Sequence, residues 1–440
     1  MYNAPCIHIG KLMSDQPFAR STPRDHRIDL IRGVALTMIF INHVPGNMFE
    51  RVTSRNFGFS DAAEAFVLLA GISAALAYGR GFSDGVVWRA ALRPWGRAWS
   101  LYQVHLMLSL AVLALVAGLM RFGGNPALML GDNFDALLRD PLGVFVGLPL
   151  MLHQFGYVNI LPLYVLLLLA TPAALWLGIR RPMGLLAGSV GLWLLAGTAR
   201  VNLTTYPGLN GWFLNPLSWQ LIFVVGLLIG LRLKAGQRLV PVHPKLVALA
   251  AGYLGVSLVW VSVPQVAHGG RALLGALADL GVPRLFVQFD KGYVELPRLL
   301  HVLSLAYLAS AWPALRTAAT APGLRLLAVM GRQALPVFAF GTMLSFVARI
   351  LRLMLDEAGY PAGLTLDASI ILGGIALQIG LALLCEAAKS RKPQESPLPD
   401  AMPATGATLA PPGTIRPIPP KTAAAMRALP RARQDHPQPA

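Results

Sequence analysis

Charge is what this sequence has least of. Only 13% of its 440 residues are Asp, Glu, Lys or Arg, about half the share of an ordinary soluble domain. In contrast, 55% are hydrophobic and the mean hydropathy is +0.57. That stock cannot build a water-facing surface for a chain of this length, so the composition excludes a soluble globular protein. Acidic residues are scarcer than basic ones, 20 against 37. Cysteine is almost absent. Cys6 and Cys385 are too distant to form a metal signature, and both fall on the side expected to be cytoplasmic, where no disulfide is expected. The sequence also lacks a phosphate-cradling Gly-rich loop, zinc-ligand spacing and a Gly-x-Ser-x-Gly nucleophile elbow. No clear internal repeat of the kind that builds many transporters is visible. No signal peptide is expected either, because about 25 polar residues precede the first apolar run and no small-residue cleavage site ends it.

What the sequence does contain is a succession of apolar runs, each near the roughly 20 residues that cross a bilayer. They fall at about 29–48, 61–79, 99–120, 157–178, 182–198, 217–233, 245–263, 297–315, 333–355 and 368–388. The expected fold class is therefore all-α, a polytopic membrane helix bundle with about ten spans and both termini cytoplasmic. That placement puts 26 of the 37 Lys and Arg residues in inner segments, in line with the positive-inside rule. The net charge of +17 then records orientation in membrane lipid, and no nucleic-acid partner is expected. Residues 1–26 read as a cytoplasmic tail and 27–390 as the membrane domain. Residues 391–440 read as a disordered Pro/Ala-rich tail that cannot bury enough apolar area to offset the entropy of ordering. The longer loops, about 121–156, 199–216, 264–296 and 356–367, lie on the expected outer side. The stretch "DPLGVFVGLPLMLHQFGYVNILP" (140–162) is too broken by Gly and Pro for a clean span and reads as interfacial or re-entrant.

The first run, "RIDLIRGVALTMIFINHVPGN" (27–47), carries polar residues where lipid would exclude them. Arg32 and His43 are separated by 11 residues, which on a helix amounts to three turns plus about 20°. Both side chains therefore project from nearly one face, about 16 Å apart along the axis. Asp29 stands three residues before Arg32, within pairing distance. Such groups either satisfy polar contacts between helices or line a pathway or reaction centre. Desolvation favours a neutral imidazole, which can serve as a general base.

Those residues resemble a known family. The Arg-(ten residues)-His pattern on a first membrane helix looks like the shared signature of the broad acyltransferase-three superfamily. More closely, residues 27–47 followed by "NFGFSDAAEAFVLLAGISAALAYG" (56–79) resemble the OpgC family, membrane succinyltransferases of osmoregulated periplasmic glucans. "YVNILPLYVLLLL" (157–169), "NPLSWQLIFVVG" (215–226) and "RLLHVLSLAYL" (298–308) are similar to its pattern as well. Glu64 falls at the superfamily's acidic position on the second helix, whereas Ala70 replaces its usual Ser. The resemblance implies about ten spans and a cytoplasmic acyl-CoA donor, succinyl-CoA for this family, as co-substrate rather than bound cofactor. It also implies a periplasmic glucan acceptor and a place in the bacterial inner membrane.

Acyl transfer to a sugar hydroxyl requires a base, and His43 is the candidate, by direct activation of the hydroxyl or as the carrier in an acyl-histidine relay. Arg32, supported by Asp29, would hold the donor by charge-assisted hydrogen bonds. Asp61 and Glu64 share one face. Glu64 would orient His43 or contact the acceptor, with Asp61 nearer the entrance; the pair also suits a helix start, Asp61 above all, with Ser60 or Asp61 as N-cap. A succinyl carboxylate needs a cation. Arg298 and His301 are the first candidates and Arg51, Arg55, Lys291 and Arg349 the weaker ones, while Arg298 at a helix end also suits lipid-headgroup contact. Asp290 and Lys291 read as loop charges, and His153 and Gln154 as an interfacial loop that could meet the acceptor. His105 is placed near the inner end of its run. Tyr157, Tyr164, Trp212 and Trp219 suggest interfacial aromatic belts. The competing class is a transporter or flippase for an acylated sugar or organic anion, since intramembrane polar groups suit both.

Overall fold

The computed structural model describes residues 25–83, 87–123, 133–360 and 363–390. The expected tail 391–440 and all but the last two residues of the expected tail 1–26 lie outside these. Among the described residues the chain is helical, with one isolated bridge between Thr204 and Gly211. Sixteen α-helices are present there: α1 His26–Asn42, α2 Ala62–Ser83, α3 Val87–Gly123, α4 Asp135–Arg139, α5 Pro141–Gly147, α6 Ile160–Arg180, α7 Pro182–Thr198, α8 Pro216–Lys234, α9 Pro244–Ser262, α10 Pro264–Asp279, α11 Arg284–Val287, α12 Leu296–Ala311, α13 Pro313–Thr320, α14 Arg325–Arg332, α15 Ala334–Glu357 and α16 Leu364–Ser390.

Each of the ten apolar runs falls on one of these helices. Seven of them (α2, α3, α6, α8, α9, α15 and α16) are long and apolar enough to cross a membrane. The remaining three runs correspond to α1, α7 and α12, of 17, 17 and 16 residues. The chain is therefore an all-helical, multi-pass membrane protein. Proline sets many of the starts. It occupies the first turn of α5, α7, α8, α9, α10, α12 and α13, where the missing N–H leaves no bond unmade.

The centre of the bundle is the crossing of α2 with α8. A Cβ on Gly71 would meet the Phe223 carbonyl, and one on Gly226 would meet the Leu68 carbonyl, so the two backbones touch where only hydrogen fits. Small residues of this kind let membrane helices approach where the hydrophobic effect between them is absent. Leu68, Phe223, Leu227 and Leu231 are buried around it. Against this pair pack α1, α6 and α7, and α14 lies along α1.

The connections predicted to be outer ones gather at a single end. Asn133 Nδ2 donates to the Gln154 carbonyl at 2.8 Å, Tyr206 N–H to Leu152 at 3.2 Å and Asn215 N–H to Gly292 at 3.2 Å. The 140–162 stretch is neither a span nor a simple loop. Asp140 caps the short α5 by accepting the Gly143 N–H at 2.8 Å, and the chain then passes through turns, with left-handed Met151 and Tyr157, before α6 begins.

Candidate active site

α1 delivers the imidazole. Asp25 caps its start by accepting the Arg27 N–H at 3.1 Å. The helix then runs unbroken to Asn42, ahead of Pro45 and a left-handed Gly46. His43 is the C-cap, its N–H donating to the Ile39 and Phe40 carbonyls at 3.0 and 3.1 Å. Continuity of the helix keeps Arg32 and His43 close to one face, about 16 Å apart. The imidazole lies tilted on Tyr157 with ring centroids 4.1 Å apart, and the Arg349 guanidinium sits over the same tyrosine at 5.3 Å.

α2 begins beside it with a capping box. Asp61 Oδ1 accepts from the Ala63 N–H at 2.8 Å, and Glu64 Oε2 accepts from the Asp61 N–H at 3.0 Å, which satisfies donors the helix start would otherwise leave open. The same carboxylates also meet cations from the far side of the sequence. Lys291 Nζ is 2.6 Å from Asp61 Oδ2. Arg298 Nε donates to Glu64 Oε1 at 2.8 Å, and its guanidinium lies 3.7 Å from Asp61. Glu64 is fully buried, so this pairing is what makes its charge tolerable there.

Three side chains hold the Lys291 loop in place. Trp219 Nε1 donates to the Lys291 carbonyl at 3.1 Å and Trp193 Nε1 to the Val294 carbonyl at 3.0 Å, while Arg200 pairs with Asp290 at 3.1 Å and Glu295 at 2.9 Å. Burial pushes the Glu295 carboxyl's pKa up, opposed by the Asp290 N–H and by Arg200.

His43, Asp61 and Lys291 open onto a cavity of about 950 Å³. Arg55 enters its wall from the α1–α2 connection, Asp135, Arg139 and His153 from the segment before α6, and Thr205 and Asn210 from the α7–α8 connection. Burial holds the His153 imidazole below its ordinary pKa. A wall of amides, hydroxyls, carboxylates and cations, with Tyr157 and Phe213 as aromatic faces, is chemically matched to a polyhydroxylated ligand. Toward the other end of α1, Arg32 donates to the Gly331 carbonyl at 3.3 Å and to the Ser73 hydroxyl, and stands 3.9 Å from Asp29.

The model of the family described as OpgC protein matches residues 24–390. The chain belongs to the OpgC family. No curated protein and no solved structure gives a significant match. Membership in the OpgC family marks a membrane protein with an acyltransferase-type role.

Within this OpgC-family bundle the residues singled out from sequence separate into three places. His43 and Asp61 line the cavity. Glu64, Arg298 and His301 stand outside its wall, with His301 Nδ1 2.7 Å from the Ser60 hydroxyl. Arg32 and Asp29 lie toward the opposite end. Arg298 and His301, the first candidates for an acyl carboxylate, are thus engaged by Glu64 and Ser60. Lys291, read as a loop charge and as a weaker candidate cation, lies in a loop and lines the cavity. The sequence signal for it was slight: an Asp-Lys pair inside the apolar "VQFDKGYVELP".

Two placements are corrected. Tyr164, Trp212 and Trp219 do not form lipid-facing belts; all three are buried, Trp219 because its N–H is spent on the Lys291 carbonyl. His105 does not border the inner end of the bundle. It is fully buried beside Leu148, on the segment that follows α5, where the neighbouring Tyr102 hydroxyl donates to the Pro149 carbonyl at 2.9 Å.

Proposed function

We propose that this chain is an O-acyltransferase of the bacterial inner membrane. It moves an acyl group of succinyl type from cytoplasmic acyl-CoA to a glucosyl hydroxyl of a periplasmic glucan, with His43 as the general base. The observation that carries this reading is the position of one imidazole on the wall of a polar cavity, at the end of an unbroken helix that also holds Arg32. The cavity end would receive the sugar, and Arg32 would anchor the donor arm approaching from the opposite end. The helical rise between them, about 16 Å, suits an extended pantetheine.

In this scheme His43 accepts the proton of the attacking hydroxyl as its oxygen bonds to the thioester carbon. The tetrahedral adduct collapses, the carbon–sulfur bond breaks, and the imidazolium returns the proton to the leaving thiolate. Asp61 shares the cavity wall with His43 and is itself held by Lys291 at 2.6 Å. The test is mass spectrometry of periplasmic glucans from cells carrying the wild-type chain or His43→Gln. Acyl mass increments are expected with the first and not with the second. Increments that persist with His43→Gln overturn the base assignment, and glucans that change in amount but never in mass favour transport instead.

A further inference from the structure

A donor that enters past Arg32 presents its acyl end first. Its thioester carbonyl must stop at His43, so whatever the acyl chain carries at its tip lies beyond the imidazole, inside the cavity. For a four-carbon dicarboxylic half-thioester that tip is a free carboxylate, about 4 to 5 Å past the reacting carbon in extended form. The cation that recognises it must therefore face the cavity and be uncommitted.

Few cations near the site meet both conditions. Arg298 is closed by Glu64 and Asp61 and does not line the cavity. Lys291 lines it but is paired with Asp61 at 2.6 Å. Arg139 lines it and is 3.2 Å from Asp135 on its own helix. Arg55 lines it, is exposed, and has no carboxylate within ion-pair distance among the described residues.

The segment that carries Arg55 is built rather than loose. Asn47 caps a short 3-10 turn at Met48–Val52 and donates from its amide to the Ile41 and Val44 carbonyls at 2.9 and 2.6 Å. Thr53 donates to the Asn42 side chain at 2.9 Å, directly beside His43. The Met48 N–H donates to Asp367 at 2.8 Å, and Arg352 ties the same Asp367 to the Gly46 carbonyl. The connection is thus fastened to both the end of α1 and the start of α16, which fixes the backbone leading to Arg55 relative to His43.

We propose that Arg55 is the specificity residue for the acyl group, binding the distal carboxylate of a dicarboxylic acyl donor in the cavity beyond His43. The guanidinium fork matches a carboxylate with two parallel N–H bonds. Lys291 lines the same cavity and remains paired with Asp61. The inference rests on the acyltransferase reading and assigns its selectivity to a residue outside the proton-transfer step.

The test compares succinyl-CoA with butyryl-CoA, which has the same chain length and no charge at the tip. The full-length protein is reconstituted in nanodiscs with a glucan oligosaccharide acceptor, and kcat/KM is measured for both donors in the wild type, Arg55→Gln and Arg55→Lys. The ratio of succinyl to butyryl efficiency is expected to fall tenfold or more in Arg55→Gln, the size of a lost charge-assisted contact, and to fall less in Arg55→Lys, which keeps the charge but not the fork. A ratio that does not move in Arg55→Gln overturns the proposal, as does a wild type that uses both donors equally well, while either result leaves the acyltransferase reading standing. A wild type that transfers neither group removes that reading, and the carboxylate site with it.

Discussion

A base is only as good as the geometry around it, and at the scale of single residues this one is unusually constrained. His43 is fixed by its own backbone bonds to α1 and by contact with Tyr157. Replacing it with Gln keeps a polar side chain of similar reach and removes the proton acceptor. Turnover is expected to drop by about 10²- to 10⁴-fold, the usual worth of a general base, with an unchanged melting temperature in detergent. Loss of stability together with activity would point to a structural imidazole. Arg298 and Glu64 make a different prediction. Arg298→Met leaves a carboxylate buried without its partner and should cost about 3–5 kcal/mol, read as a clear fall in melting temperature. Adding Glu64→Gln to that variant removes the orphaned charge and should restore part of the loss. The Arg32–His43 relation was legible in sequence because one helix contains both. The Arg298–Glu64 and Lys291–Asp61 pairs were not. Their members are 234 and 230 positions apart, and nothing local states which helix ends will meet.

Elements repeat that pattern. Every apolar run became a helix because twenty or so apolar residues with few charges leave the backbone no cheaper way to satisfy its own polar groups in lipid. Bounds were less legible. α1 stops at Asn42 rather than near 48, with Pro45 and Gly46 following. α3 begins twelve residues before its run, at Val87, because the Arg-bearing segment before the run continues the helix through Pro94. The crossing of α2 and α8 gave no sequence signal beyond scattered glycines. Its test is Gly71→Leu. The new side chain would be driven into the Phe223 carbonyl, so the variant is expected to fail to accumulate as a monodisperse protein on size exclusion. Gly188→Leu, where a Cβ meets nothing within 4 Å, should accumulate normally.

For the whole molecule, the positive-inside count predicts which face of the bundle meets the cytoplasm, and the structure adds that three of the connections assigned outside, about 121–156, 199–216 and 264–296, contribute to one cavity. Asn210→Cys, on that wall, should react with a membrane-impermeant maleimide in spheroplasts, with native Cys6 and Cys385 replaced by Ser. Arg180→Cys, at the opposite end of the bundle, should react only after lysis. The reverse pattern would invert the topology and with it the supply of donor and acceptor. The overall charge bias was readable because it is a sum over the chain. The burial of Trp212 and Trp219 was not, because an aromatic ring near a helix start suits a lipid headgroup and a protein interior equally well until a carbonyl such as that of Lys291 is found opposite its N–H.

The unbroken rod from His26 to Asn42 also acts as a gauge. One alanine inserted midway between Arg32 and His43 lengthens it by only 1.5 Å but swings the imidazole through about 100°, off the hollow and into its neighbours. Four inserted alanines return it to within about 40° while moving it about 6 Å outward. If catalysis follows phase, the single insertion should be the more damaging of the two, although it adds the shorter length.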